Sequence, residues 1–327
     1  MKDLFIYDSQ SDYAPIVVFA YNRADCLENL LKSLEHNDKT EDMELFVFID
    51  IPLHNDKKNI ERNVEVINFV DDYKNKSKKF RKIQVIVAKK HKGLAKSIIT
   101  GVSKVINRYG KAIVLEDDLI VSNDFLDYMQ RGLNFYENNE KVWAVAAHMF
   151  AMKELKYYKK DVLLAPRPES WGWGTWKDRW NRTDWEVKTY NRFKKDYVGQ
   201  FLFNLGGKDL CKMLEMQMKD ETFDSWAIRW GYQQFLERKY TIYPKESRVI
   251  HCGNDDRSTH GPLASTQPLR KDYKRCTFEN IKVNYILLLG FRKVNSAFFN
   301  QAAKQIFEMR IADGKKFLRE IWKEVLL

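Results

Sequence analysis

Apolar positions in the first 120 residues or so fall into a repeating pattern. Pro15-Ile16-Val17-Val18-Phe19-Ala20 is a short β-branched run opened by a proline. The polar turn Tyr21-Asn22-Arg23-Ala24-Asp25 follows, and then Leu27, Leu30, Leu31 and Leu34 recur at helical spacing. A continuous apolar run of this length predicts a strand buried on both faces, as in parallel sheets. The same sequence of events recurs three times. Leu45–Asp50 precedes a polar helix over 59–73, and Ile83–Val87 leads through His91-Lys92-Gly93-Leu94-Ala95 into a helix over 95–108. Ala112–Leu115 then runs straight into Glu116-Asp117-Asp118. Strands alternating with helices predict an α/β fold with a mostly parallel central sheet covered by helices.

Beyond Asn123 the regularity changes. A helix is expected over 125–136, a strand over Val142–Ala146, and further helices over 176–180, 190–205, 209–218 and 225–238. The segment Trp171-Gly172-Trp173-Gly174-Thr175-Trp176 is too rich in glycine and tryptophan to start an ordinary helix. Thr241–Pro244 reads as a strand ahead of the polar loop Cys252–Gly261. The end of the chain reads as a helix whose apolar stripe (Phe317, Leu318, Ile321, Trp322, Val325) is flanked by Lys315, Lys316, Arg319 and Lys323.

Composition narrows the function classes. The net charge of +11 favours anionic partners. The lysines are interspersed with acids, however, and no zinc-ligand array or RNA-recognition signature is present, which argues against nucleic acid. Cys26, Cys211, Cys252 and Cys276 form no CxxC pair, so structural zinc is not expected and a reducing compartment fits. The first residues lack the apolar core of a signal peptide, and no window approaches the ~18 apolar residues of a membrane span. The expected location is cytoplasmic, with the basic C-terminal helix either meeting the inner face of a membrane or packing on the protein.

Ligands of parallel α/β sheets bind outside the carboxyl ends of the strands. Tyr21–Arg23, Asp50, His91–Gly93 and Glu116–Asp118 all fall at such ends and should share one crevice. Three consecutive carboxylates repel one another and resist desolvation. Mg²⁺ or Mn²⁺ resolves this, since such hard cations take oxygen ligands and share them with substrate phosphates. The simpler alternative is that Asp117 and Asp118 cap the following segment.

Glu116-Asp117-Asp118-Leu119, the Asn22-Arg23 turn and His91–Ala95 together resemble the GT-A glycosyltransferases, in particular N-acetylglucosaminyltransferase I and related bacterial family-2-like enzymes. Gly172-Trp173 through Trp180, Phe223–Trp226, and Pro244–Arg248 leading into Ser258–Gly261 extend the resemblance over about residues 15–262. It implies a Rossmann-like GT-A sheet with a mainly helical C-terminal extension. Residues 1–122 would be the nucleotide-sugar-binding half, 123–265 the acceptor and catalytic half, and 266–327 the extension. The activity it implies is metal-dependent, inverting transfer from a UDP-sugar to a glycan or lipid-linked glycan in polysaccharide synthesis.

Residue by residue, the resemblance assigns Arg23 and Asp50 to the uracil, Asp117 to the ribose, Glu116 to the transferred sugar and Asp118 to the metal. Asp224 matches the general base, and Cys252–Gly261 a loop over the donor. Two departures are visible: Ser225 replaces a second acid of the eukaryotic enzyme, and Gly174-Thr175 replaces apolar residues.

The residues themselves leave alternatives beside these roles. Asp224 is a base or the N-cap of the next helix. Arg23 pairs with phosphate, stacks on the base, or is solvated, and Asp50 meets the base or closes a turn before Pro52. Lys92 favours an anion at a helix N-terminus or belongs to a basic face. Trp171, Trp173, Trp176 and Trp226 offer an acceptor surface, Trp173 first among them, or belong to the core. His260 touches the diphosphate, supplies a second metal contact, or lies in solvent. A nucleotidyltransferase of similar fold would carry a glycine-rich loop after its first strand, and this chain has Tyr21–Asp25 there. A non-catalytic carbohydrate-binding protein would need neither the triplet nor Asp224.

Overall fold

The structure, a computed structural model, describes residues 13–220, 222–252, 267–270, 275–284 and 286–293. The first half is built as the pattern predicts: β1 (Ile16–Ala20), α1 (Ala24–Glu35), β2 (Glu44–Ile49), α2 (Lys57–Lys76), β3 (Lys82–Val87), α3 (Leu94–Tyr109) and β4 (Lys111–Glu116). There follow β5 (Leu119–Val121), α4 (Phe125–Tyr136), β6 (Val142–Ala146), β7 (Val162–Ala165), β8 (Trp173–Trp176) and α5 (Lys177–Trp180). α6 (Tyr190–Phe193), α7 (Tyr197–Phe203), α8 (Leu210–Lys219), α9 (Trp226–Leu236), β9 (Tyr240–Pro244) and β10 (Val249–His251) complete the set. Residues 286–293 are also helical.

One sheet of order β3-β2-β1-β4-β8-β6-β9-β7 runs through the molecule, across the boundary at residue 122. β1 to β4 are parallel, whereas β8 runs antiparallel to both β4 and β6. Side chains alternate between its faces, as strand geometry requires. Ile16, Val18, Leu45, Val47, Ile113 and Leu115 join a core under α1, α2 and α4. Val17, Phe19, Phe46, Phe48, Ala112 and Val114 join a second core under α3 and α9. Because both faces are covered, the strands read as unbroken apolar runs, and their polar ends are left at one edge.

A separate two-stranded ribbon pairs β10 antiparallel to β5, with His251 opposite Leu119. It is anchored by Arg248, which is 1% exposed. The Arg248 Nε lies 3.2 Å from Asp124 Oδ2, and its guanidinium sits 4.1 Å from the Tyr128 ring centroid. Gly172 adds a second anchor. Its φ of 68° is left-handed, and a β-carbon there would stand 2.8 Å from the Val249 side chain.

Of the helical extension expected over 266–327, the described residues are partly irregular and partly helical. Residues 275–284 lack regular structure and lie along α4, where Tyr136 donates to the Glu279 carbonyl and Arg131 to that of Cys276. In the helical turns 286–293, Leu287 and Leu288 are buried while Ile286 and Leu289 face outward. Among the described residues no helix is long and apolar enough to cross a membrane. The stripe from Phe317 to Val325 lies outside the described residues.

Candidate active site

The carboxyl ends of β1, β2 and β4 converge. The triplet begins on the last residue of β4, next to β1, where Phe19 pairs with Glu116. Asp117 Oδ2 accepts the Tyr21 backbone N–H at 3.1 Å. Arg23 immediately precedes α1 and is 7% exposed. Its Nη1 donates to Asp118 Oδ2 at 2.6 Å. The turn after β1 is thereby tied to the turn after β4, which brings together three of the sequence-derived candidates.

His251 reaches the same oxygen from the β5–β10 ribbon: its Nε2 is 3.0 Å from Asp118 Oδ2. The Cys252 backbone N–H donates to the Asp118 carbonyl at 2.9 Å, which extends the ribbon by one bond. Sequence reading set the loop over the donor at Cys252–Gly261 and gave His260 a contact to the diphosphate or the metal; His260 lies outside the described residues. His251 is brought to Asp118 by strand pairing across more than a hundred residues, and Val249-Ile250 is too short a run to announce a strand.

Charge in the triplet is distributed unevenly. Burial, with the charges of Asp118 and Asp117, pushes the Glu116 carboxyl well above its usual range. Burial and the Asp118 charge push Asp117 up to about 7, against the opposing pull of Arg23 and the Tyr21 N–H. Burial also acts to raise Asp118, but the hydrogen bond and charge of His251 and those of Arg23 outweigh it and hold Asp118 below the ordinary carboxylate range. The most ionised member of the triplet is thus the one that the resemblance assigns to the metal.

A carboxylate oxygen and an imidazole nitrogen form a donor set suited to Mn²⁺. Among the described residues no three His, Cys, Asp or Glu side chains lie close enough to hold a metal by themselves. A cation held by Asp118 and His251 would need further ligands from outside this pair, as substrate phosphates supply.

Asp50, 7% exposed, turns inward to the neighbouring loop. Its carboxylate accepts the backbone N–H groups of Lys92, at 3.0 and 3.2 Å, and of Gly93, at 2.9 Å, and lies 3.3 Å from His91 Nδ1. Gly93, with φ 77°, is the N-cap residue of α3 and has no side chain to cap it, so Asp50 satisfies that end. The expectation of a turn before Pro52 or a free base acceptor changes accordingly: Asp50 fixes the loop at the edge of the crevice. The Lys92 ammonium extends along α3 to Thr100 Oγ1 at 3.1 Å, away from the triplet. The anion-favouring role expected for its side chain is not formed.

The tryptophans require another correction. Trp173 and Trp226 are 1% and 3% exposed and stack at 5.1 Å. Together with Trp180 and Trp230 they fill the core beneath α3 and α9, so neither presents a face to an acceptor. Trp171 is half-buried, and its ring lies 5.4 Å from that of His251. Behind it, the His148 ring stands at 4.6 Å. Glu169 holds this arrangement: its carboxylate accepts the Trp171 N–H at 3.1 Å and lies 3.1 Å from His148 Nδ1.

Asp224 precedes α9, whose N-cap is Ser225 and not Asp224: the Ser225 hydroxyl accepts the Ile228 N–H. The carboxylate of Asp224 is 56% exposed and pairs with Arg229 Nη2 at 2.6 Å. Its aromatic neighbours do not enclose it, since Trp226 turns into the core. The Trp226–Trp173 stack nevertheless locates the start of α9. Trp173 pairs with Val114, two residues before Glu116, so Asp224 belongs to the same end of the sheet as the triplet.

Residues 5–155 match the model of the GNT-I family. No curated protein sequence matches the chain. Among solved structures, Staphylococcus aureus TarS 1–349 is 10% identical over 72% of this chain and 59% of its own, with a TM-score of 0.43. The same fragment in complex with UDP-GlcNAc gives 11% identity and a TM-score of 0.40, over 72% of this chain and 57% of its own. The mannosyltransferase PcManGT from Pyrobaculum calidifontis, in complex with GDP-Man and Mn²⁺, is 13% identical over 52% of this chain and 47% of its own, with a TM-score of 0.34. The chain thus spans less than two thirds of the length of these structures. The residues that match the GNT-I family model contain β1 to β6 and the whole triplet.

Proposed function

We propose that the protein transfers a sugar from a nucleotide-diphosphate donor, a UDP-sugar first among them, to a hydroxyl of a glycan or lipid-linked glycan. The observation that carries this reading is the meeting of Arg23, Asp118 and His251 on one carboxylate oxygen at the end of the parallel strands. Asp118 and His251 would hold a divalent cation, which when bound supplies positive charge to neutralise a departing diphosphate. Arg23, released from Asp118, is placed to pair with a phosphate or to stack on the base. Asp117 is one residue along for the ribose, and the loop fixed by Asp50 borders the base. Trp171, standing over His251, offers an indole face near the sugar.

Asp224 is the candidate general base. It takes the proton from the acceptor hydroxyl while that oxygen attacks the anomeric carbon and the bond to the diphosphate breaks. Attack from the side opposite the diphosphate inverts the anomeric configuration and needs no covalent intermediate. Two carboxylates flanking the bond, as hydrolysis of glycosides requires, are not called for.

The test is a panel of nucleotide sugars incubated with the protein and Mn²⁺, with release of the nucleoside diphosphate measured. Manganese-dependent release from one donor, with Asp224→Asn still binding that donor but slowed about 10²-fold or more in transfer, is the expected result. Failure of every donor to bind in the presence of the metal would sink the reading.

A further inference from the structure

α7 departs from the usual rule that a helix turns its apolar side inward. Tyr197-Val198-Gly199-Gln200-Phe201-Leu202-Phe203 is apolar nearly all round, and a helix of that kind is ordinarily covered on every side. Only Gly199 and Phe203 are buried. Phe203 packs against Tyr232 and Phe235 of α9, with 5.8 and 5.2 Å between ring centroids. Tyr197 and Val198 are 82% and 70% exposed, and Phe201 and Leu202, one turn on, are exposed as well. Spacing of i, i+1, i+4 and i+5 puts these four on one side of the helix. The Arg292 guanidinium lies 5.4 Å from the Phe201 ring, which sets beside α7 the helical turns 286–293, with Ile286 and Leu289 facing outward. Single exposed apolar residues are ordinary, whereas a contiguous group marks an interaction surface.

Charge around α7 selects the partner. The stretch from Lys188 to Lys208 holds five cations, Lys188, Arg192, Lys194, Lys195 and Lys208, against a single acid, Asp196. All five cations are exposed. Asp196 is engaged at the N-cap of α7, where its carboxylate accepts the Gly199 N–H at 2.8 Å. An apolar face of aromatic and aliphatic side chains fringed by long, flexible cations is the composition of helices that lie in the interface of an acidic bilayer. We propose that α7 and its flanking cations dock the protein on an anionic phospholipid surface.

The two kinds of side chain divide the work. Val198, Phe201 and Leu202 enter the boundary between headgroups and acyl chains, and Tyr197 keeps its hydroxyl at headgroup level. Arg192, Lys194 and Lys195 hold their charges among the lipid phosphates. A second protein is the other kind of occupant, but the cores of protein interfaces are depleted in lysine. Here lysines flank α7 on both sides of it in the chain. α9, on which α7 packs, begins two residues after Asp224, so the bilayer borders the helical layer next to the candidate base. Docking rests on this surface alone and not on the transfer reaction.

The experiment sediments the full chain with sucrose-loaded vesicles of phosphatidylcholine, either alone or mixed with phosphatidylglycerol. Binding to the mixed vesicles is expected, with little on phosphatidylcholine, and it should weaken as salt is raised. Val198→Ser combined with Phe201→Ser, and separately Lys194→Gln combined with Lys195→Gln, should each lower the vesicle partition coefficient about tenfold or more. Urea unfolding checks that both variants remain folded. No binding to either vesicle, or equal binding to the two, overturns the proposal. Binding that both double variants retain overturns it as well and hands the membrane contact to another part of the chain. A dimer in solution that both variants abolish, with no vesicle binding, assigns the face to a second copy instead. Release of nucleoside diphosphate, measured without vesicles, is read separately: its absence would count against the transfer reading and leave the docking surface standing.

Discussion

Two donors converge on Asp118, Arg23 at 2.6 Å and His251 at 3.0 Å, while the side chain of Asp117, one residue earlier, meets the Tyr21 amide. This difference in partners separates their chemistry. His251→Ala removes the imidazole from the cation's surroundings, and the manganese concentration needed for half-maximal turnover should rise about 10- to 100-fold. Asp118→Ala should abolish manganese-dependent release altogether. A metal titration of donor hydrolysis reads both. Asp117 predicts a pH effect without any metal. Its pKa is raised from 3.8 to about 7 in the folded chain, so between those values the folded state binds more protons than the unfolded one. Stability then falls as pH rises through that window, by on the order of 4 kcal/mol from this group. Asp118, held low, contributes with the opposite sign, because its stabilisation is lost as pH falls. The difference between wild type and Asp117→Asn isolates the first effect: urea unfolding at several pH values should show a flatter acid-to-neutral decline in the variant.

At the scale of elements, the β5–β10 ribbon carries the most consequence for its size. Three residue pairs hold it, and one of them brings His251 to the triplet. Its anchor is the buried Arg248, paired with Asp124. Arg248→Ala leaves the buried Asp124 carboxylate with the Ser122 hydroxyl and, as its cation, the more distant Arg270, 3.8 Å away, and should cost about 3 kcal/mol in denaturant unfolding. Manganese affinity should fall with it, since the ribbon positions His251. The elements that the residue pattern foretold and those it did not differ in a physical way. β1 to β4 are long apolar runs that bury both faces, a property written locally in Ile16–Ala20 or Ala112–Leu115. β8 contains Gly174 and Thr175 among tryptophans, and it becomes a strand because β4 and β6 flank it on both sides. β5 and β10 are three residues each, and neither has a pattern long enough to be read without its partner.

Across the described residues, Trp171 stands at the crevice, whereas Trp143, Trp173, Trp176, Trp180, Trp226 and Trp230 are buried. Trp173, closely stacked with Trp180, Trp226 and Trp230, cements the sheet to α3 and α9. Trp173→Ala should therefore cost about 3–5 kcal/mol of stability, seen in urea unfolding, because a large buried side chain is removed. Trp171→Ala should leave stability nearly unchanged and lower transfer. The two variants measured side by side distinguish core from site.

The amino-acid sequence by itself determined the α/β character, the order of the first four strands, and the placement of Arg23, Asp50 and Glu116–Asp118 at strand ends. Those features follow from local alternation of apolar runs with turns and from where charge interrupts them. Tertiary structure alone decided that His251 and Cys252 stand beside Asp118 with Trp171 against His251, that Asp50 closes the N-terminus of α3, and that Trp173 and Trp226 face inward. The physical reason is the same in each case: a contact between segments far apart in the chain leaves no periodicity in either segment, and it exists only once the sheet and its small ribbon bring them together.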